Sequence, residues 1–169
     1  MAERYIDVEG FEAYEDNDGQ ELTLQKLVSA SVGDAFDAWL RLVWLGHGST
    51  LQSGEGRGLV GHRRSFSLGV EEKILSAGLP DNSDRIPTLR FSIQKSGVLM
   101  LSSHVALVQF VADRTASPSH PKTLIIWSCK FVPSTAGGVL FCGGFFSRMM
   151  IKSVLSSSLE EIEASFQPK

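Results

Sequence analysis

Residues 54–61 read GEGRGLVG, and within them Gly56-Arg57-Gly58-Leu59-Val60-Gly61 spells GxGxxG. A dinucleotide-binding turn needs a strand before such glycines and a helix after them, because the helix N-terminus receives the pyrophosphate. Here the order is reversed. Upstream, Ser31 offers an N-cap with Asp34 three positions on, and Ala35, Phe36, Trp39, Leu40 and Val43 recur at helical spacing until Leu45-Gly46-His47-Gly48. Downstream the period is two: Val60, His62, Arg64, Phe66 and Leu68 share one face, and Leu59, Arg63, Ser65 and Ser67 the other. A kinase phosphate loop does lie between strands, but the sequence has no VAIK-like lysine, no HRD and no DFG, and no Walker Gly-Lys-Ser/Thr. The glycines therefore read as a place where a strand turns, curls or bulges.

Outward from this point the chain alternates short apolar runs with turn-rich segments. Strands are expected over Leu22–Val28, Val70–Ser76, Thr88–Gln94, Ser103–Ala112 and Thr123–Val132, separated by segments such as Leu79–Asp84, Lys95-Ser96-Gly97 and Asp113–Lys122. Consecutive strands with no helix between them indicate an antiparallel meander. From about Val139 to Phe166 helical spacing returns, with Phe141, Phe145, Met149, Leu155, Leu159, Ile162 and Phe166 near one stripe and Gly143-Gly144 at a point where the helix bends or starts. The fold class is α+β, with helices on one face of a curved sheet.

Composition narrows the function classes. The 169 residues suit one domain, and a net charge of −3 gives no footprint for nucleic acid. Residues 1–21 hold eight acids against Arg4, leaving the rest of the chain at +4. We expect an acidic, flexible tail over 1–21 and a single domain over 22–167. Cys129 and Cys142 form no CxxC pair, and no His/Cys cluster has metal spacing, so neither metal nor cofactor is expected. No apolar run reaches membrane-spanning length and the start lacks a signal-peptide core, giving a cytoplasmic expectation.

The run Gly54–Arg64 resembles the GxGxxR-type strand opening of the START/polyketide cyclase/birch-pollen-allergen-like (SRPBCC) superfamily. Glu71–Leu75, Ser103–Phe110 and Thr123–Phe131, the last with the TxxxW pattern at Thr123 and Trp127, follow the same template, which covers about residues 22–166. The resemblance implies a helix-grip fold, in which about seven antiparallel strands wrap a long C-terminal helix around a cavity. It implies binding of a small hydrophobic ligand, lipid-, sterol- or polyketide-like. Two alternatives remain open: a cyclase or dehydratase, and an interaction module of the chaperone-cofactor type. The arginine that follows the glycines in polyketide cyclases falls on Gly61, Arg63 or Arg64 according to gap placement, and parity selects Arg64.

Parity also supplies the candidate site. If Val60, Phe66 and Leu68 face inward, so do His62 and Arg64, and on the next strand Glu72 lies in phase with Val70 and Ile74. Arg64, Glu72, Phe66, Trp127, Cys129, Phe145 and Met149 are candidates for ligand contact, the charged pair orienting a carbonyl or carboxylate. His62 or His104 is the candidate base and Arg64 the candidate enolate stabiliser if the protein is an enzyme. Each has a structural counterpart: Arg64 and Glu72 as a cross-strand ion pair, the histidines as satisfied core groups, Trp127 and the methionines as core. The apolar run Val98–Leu101 reads as a lid tip or a buried strand start.

Overall fold

A computed structural model describes residues 8–81, 85–140 and 144–167. The elements in order are α1 (Val8–Glu15), β1 (Gln20–Val28), α2 (Val32–Ala38) running into a π-helical turn (Trp39–Trp44), β2 (Ser49–Gln52), β3 (Arg63–Ser65), β4 (Val70–Gly78), β5 (Thr88–Ser96), β6 (Leu101–Ala112), β7 (Thr123–Pro133), α3 (Thr135–Leu140) and α4 (Phe145–Ser165). All seven strands form one antiparallel sheet in the order β1-β7-β6-β5-β4-β3-β2. β1 and β2 are opposite edges, so α2 and its π turn carry the chain across one face. The meander then returns to place β7 beside β1, Leu22 facing Cys129 and Leu24 facing Trp127. This is a helix-grip architecture: a curved sheet holding a long C-terminal helix.

Side-chain parity fixes which face is the core. On β7 Thr123, Ile125, Trp127, Cys129 and Phe131 are buried in alternation. The same face of β6 presents Ala106, Val108 and Phe110. Against it pack Trp39, Leu40 and Val43 of the π turn and Ile151, Leu155, Leu159 and Ile162 of α4. Each such aliphatic side chain stabilises the fold by about 1.5–3 kcal/mol relative to exposure.

Three expectations need correction. The helix expected from Val139 is two helices, α3 and α4, with Gly144 at φ +90 before the second. Its inward stripe is Ser147, Ile151, Leu155, Ser158, Leu159 and Ile162, so Phe145 and Met149 face solvent; Phe141 lies outside the described residues. The strand expected over Leu59–Leu68 shrinks to Arg63–Ser65, because Leu59 and Leu68 adopt left-handed backbone (φ 51 and 70). β2 escaped notice because all four of its residues are exposed and no alternation marks it. Residues 8–21, where an acidic tail was expected, hold α1 and the first two residues of β1. Phe11 and Tyr14, one turn apart, cover Val105 and Leu107 on the outer face of β6.

GEGRGLVG is the β2–β3 connection. Glu55 and Val60 exchange backbone hydrogen bonds of 2.8 and 3.0 Å around a loop in which Gly56 and Gly61 have φ +65 and +85. Arg57 at its tip donates to Asp37 of α2 (2.8 and 3.0 Å) and to Asp81 (2.6 Å), tying the loop to the crossing helix. A Cβ on Gly54 would collide with the Leu59 carbonyl and the His62 Cβ. Gly54→Ala should therefore lose about 1–3 kcal/mol, read as a fall in thermal midpoint of about 2–4 °C per kcal/mol. An unchanged midpoint would contradict this close approach.

Candidate functional site

A cavity of about 630 Å3 lies between the sheet and α4. Val70, Phe91 and Ile93 of β4 and β5 form much of its floor, and Ile151, Val154 and Leu155 its helical side. At its rim His47 Nε2 and Glu161 Oε2 lie 3.2 Å apart, joining the segment before β2 to α4. The exposed Leu68 and Val154 flank the same rim.

Arg64 and Glu72 occupy one wall, directly paired across β3 and β4. Arg64 donates from Nε and Nη2 to Glu72 Oε2 at 2.8 and 2.6 Å. Its Nη1 donates to the carbonyls of Val43 and Trp44, at the end of the π turn. The guanidinium carbon stands 3.9 Å over the Trp44 ring and 4.5 Å over Phe66. Four of its five N–H groups are thus committed, two to a carboxylate and two to the orphan carbonyls at a helix C-terminus, where a cation is favoured. Burial disfavours the Arg64 charge and Glu72 offsets part of that cost.

The two candidate histidines diverge. His62 is buried behind Trp44 and does not line the cavity. Trp44 Nε1 donates to its Nδ1 at 2.9 Å, so its proton sits on Nε2, which donates to Thr50 Oγ1 at 3.3 Å. Burial, then the charge of Arg64, lowers its pKa. Such a histidine has no lone pair left for a ligand. His104 does line the cavity, and its buried Nδ1 has no hydrogen-bond partner. Burial pushes its pKa down to about 4.

This carries a stability consequence. Between pH 6.5 and about 4 the unfolded chain binds a proton at His104 that the folded chain does not. Stability should fall on acidification through that window and not further below it, by up to about 3 kcal/mol. Urea unfolding at stepped pH reads the slope; a slope unchanged in His104→Leu would refute the assignment.

Trp127 also lines the cavity, with Nε1 buried and unpartnered. It belongs to an aromatic cluster centred on Phe91, whose ring lies 5.2 Å from Trp44, 5.8 Å from Trp39, 6.1 Å from Trp127 and 6.1 Å from His104. Of the other candidates, Phe66 lines the cavity, whereas Cys129, Phe145 and Met149 do not. Cys129 is core, its thiol pushed up to about 12 by burial. Met150, one residue on from Met149, takes the cavity position. Sequence reading missed His47, Glu161, Val43 and the tip residues Val98 and Leu99 as lining; only the apolar run at 98–101 gave a signal. Among the described residues no group of three or more His, Cys, Asp or Glu could hold a metal ion, and no helix is long and apolar enough to cross a membrane.

No family model and no curated protein sequence matches the chain. Solved structures do. XoxI from Bacillus cereus superposes with TM-score 0.59 at 11% identity, over 86% of this chain and 94% of that one. Truncated norcoclaurine synthase from Thalictrum flavum gives 0.53 at 15%, over 91% and 99%. Ginseng major latex-like protein 151 from Panax ginseng gives 0.53 at 17%, over 88% and 98%. These neighbours include birch-pollen-allergen-like proteins, and the likeness to them is one of fold. At these identities the likeness shows the helix-grip fold and no particular activity. Function on a shared fold is set by the side chains at the site, and in this chain Arg64, Glu72, His104 and Trp127 are among those that line the cavity.

Proposed function

We propose that this chain binds a small, predominantly apolar ligand in the cavity beneath α4. The supporting observation is a space of about 630 Å3, walled mostly by apolar side chains and bordered by a few polar residues, among them Arg64, Glu72 and His104. Ligand sites have this constitution: an apolar lining with a few polar groups that fix orientation. On the same fold, norcoclaurine synthase from Thalictrum flavum holds dopamine and hydroxybenzaldehyde.

A carrier fits the committed groups better than a cyclase. Enolate stabilisation would draw on Arg64, whose guanidinium already serves Glu72 and two helix carbonyls. An interaction module of the chaperone-cofactor type needs no cavity of this size. Titration with medium-chain and aromatic alcohols, followed by tryptophan emission and thermal midpoint, tests the proposal. Saturable quenching or enhancement with a raised midpoint is expected. No saturable change with any member of the series would sink it.

A further inference from the structure

The sheet splits beside His104. β5 and β6 pair from Thr88 and Gln109 up to Ser92 and Val105, and no further among the described residues. Beyond that point Ile93–Ser96 pairs only with β4, through Ile93↔Glu72, Lys95↔Glu71 and Ser96↔Val70. Leu101–His104 pairs only with β7. The facing edges of the two strands therefore carry backbone N–H and C=O groups with no ladder partner. A helical turn at Gly97–Leu99, followed by Met100 in the left-handed region (φ 49), closes the far end.

The space between these edges measures about 280 Å3, and its walls include Lys95, Ser96, Ser102 and Ser103. It differs in character from the main cavity, which is apolar. Ile93 and His104 are the two residues that line both. The ring of His104 thus stands where an apolar chamber meets a polar one. Next to the split, Arg64 neutralises Glu72, which pairs with Ile93, and Glu71 holds Lys95, so the groups left for a head group are strand-edge amides and the hydroxyls of Ser96 and Ser103.

We infer that the ligand is amphipathic, with its apolar body in the main cavity and a compact, oxygen-rich anionic head, such as a carboxylate, in the β5–β6 split beside His104. This rests on the proposal that the cavity holds a ligand. The head accepts hydrogen bonds from strand-edge N–H groups and from the hydroxyls of Ser96 and Ser103; the Ser102 hydroxyl is already committed to the Val132 carbonyl.

Dodecanoate and methyl dodecanoate, which share a chain and differ in the charge of the head, distinguish the two claims. Calorimetric titration should show dodecanoate binding about tenfold more tightly, the contribution of one or two charge-assisted hydrogen bonds. Hydrogen exchange should slow at Ile93–Ser96 and Leu101–His104 with dodecanoate and much less with the ester. Ser96→Ala and Ser103→Val, which line the split and not the main cavity, should each reduce the preference while retaining ester affinity, which also reports an intact fold. Equal affinities with no protection of the split, or a preference that survives both variants, would overturn the amphipathic assignment and leave the cavity proposal standing. If neither probe binds, the cavity proposal fails and this inference fails with it.

Discussion

Arg64→Ala should destabilise the protein by about 3–5 kcal/mol, the range for removing one partner of a buried ion pair. The loss has two sources. Glu72 keeps its charge on a wall where its partner's side chain is only 6% exposed and its own 12%. The carbonyls of Val43 and Trp44 lose the donor that caps the π turn. Arg64→Lys should recover only part of the loss, since one ammonium cannot reproduce the fork that spans a carboxylate and two carbonyls. Pairing Arg64→Met with Glu72→Leu should cost less than Arg64→Ala alone, because no orphan charge remains. Urea unfolding with an unchanged m-value is the measurement. A loss below about 1 kcal/mol for Arg64→Ala would mean that the guanidinium serves a ligand and not the scaffold.

Phe91→Ala should cost a similar amount, about 3–5 kcal/mol, for a different reason. The ring is 2% exposed and touches Trp39, Trp44, Trp127 and His104, so truncation strips a shared contact from four neighbours at once. Aromatic pairs contribute about 0.5–1.5 kcal/mol beyond buried area. The void would open onto the existing cavity, where Phe91 is a lining residue. A small aromatic such as indole should therefore raise the thermal midpoint of Phe91→Ala more than that of the parent chain, by mass action on the folded state. Equal shifts in the two proteins would indicate that the enlarged space collapses.

The sheet was largely legible because alternation is a local signal. β7 announces itself by period two and β4 to β6 by strand-like runs bounded by turn residues, and on β6 the phase correctly groups His104 with Ala106, Val108 and Phe110. Segments whose burial is decided by distant packing were less legible. α4 carries apolar residues nearly all round its first two turns, and only contact with the sheet selects Ile151 over Met149 as the buried side chain. At the site, parity placed Arg64 and Glu72 correctly on one wall, yet it could not tell His62 from His104. Trp44 separates them: its indole reaches His62 from a helical turn 18 residues earlier in the chain and closes it off from the cavity. The split between β5 and β6 was invisible because each strand reads as regular; what is missing is the pairing between them.

Isotope-filtered NMR on the protein with 13C-labelled dodecanoate tests ligand binding beneath α4 most directly. Nuclear Overhauser contacts should run from the methylene chain to the rings of Phe91 and Trp127 and to Leu155, all lining residues. Contacts confined to Phe145 and Met149, exposed on the outer side of α4, or no contacts at all, would contradict a ligand-holding cavity.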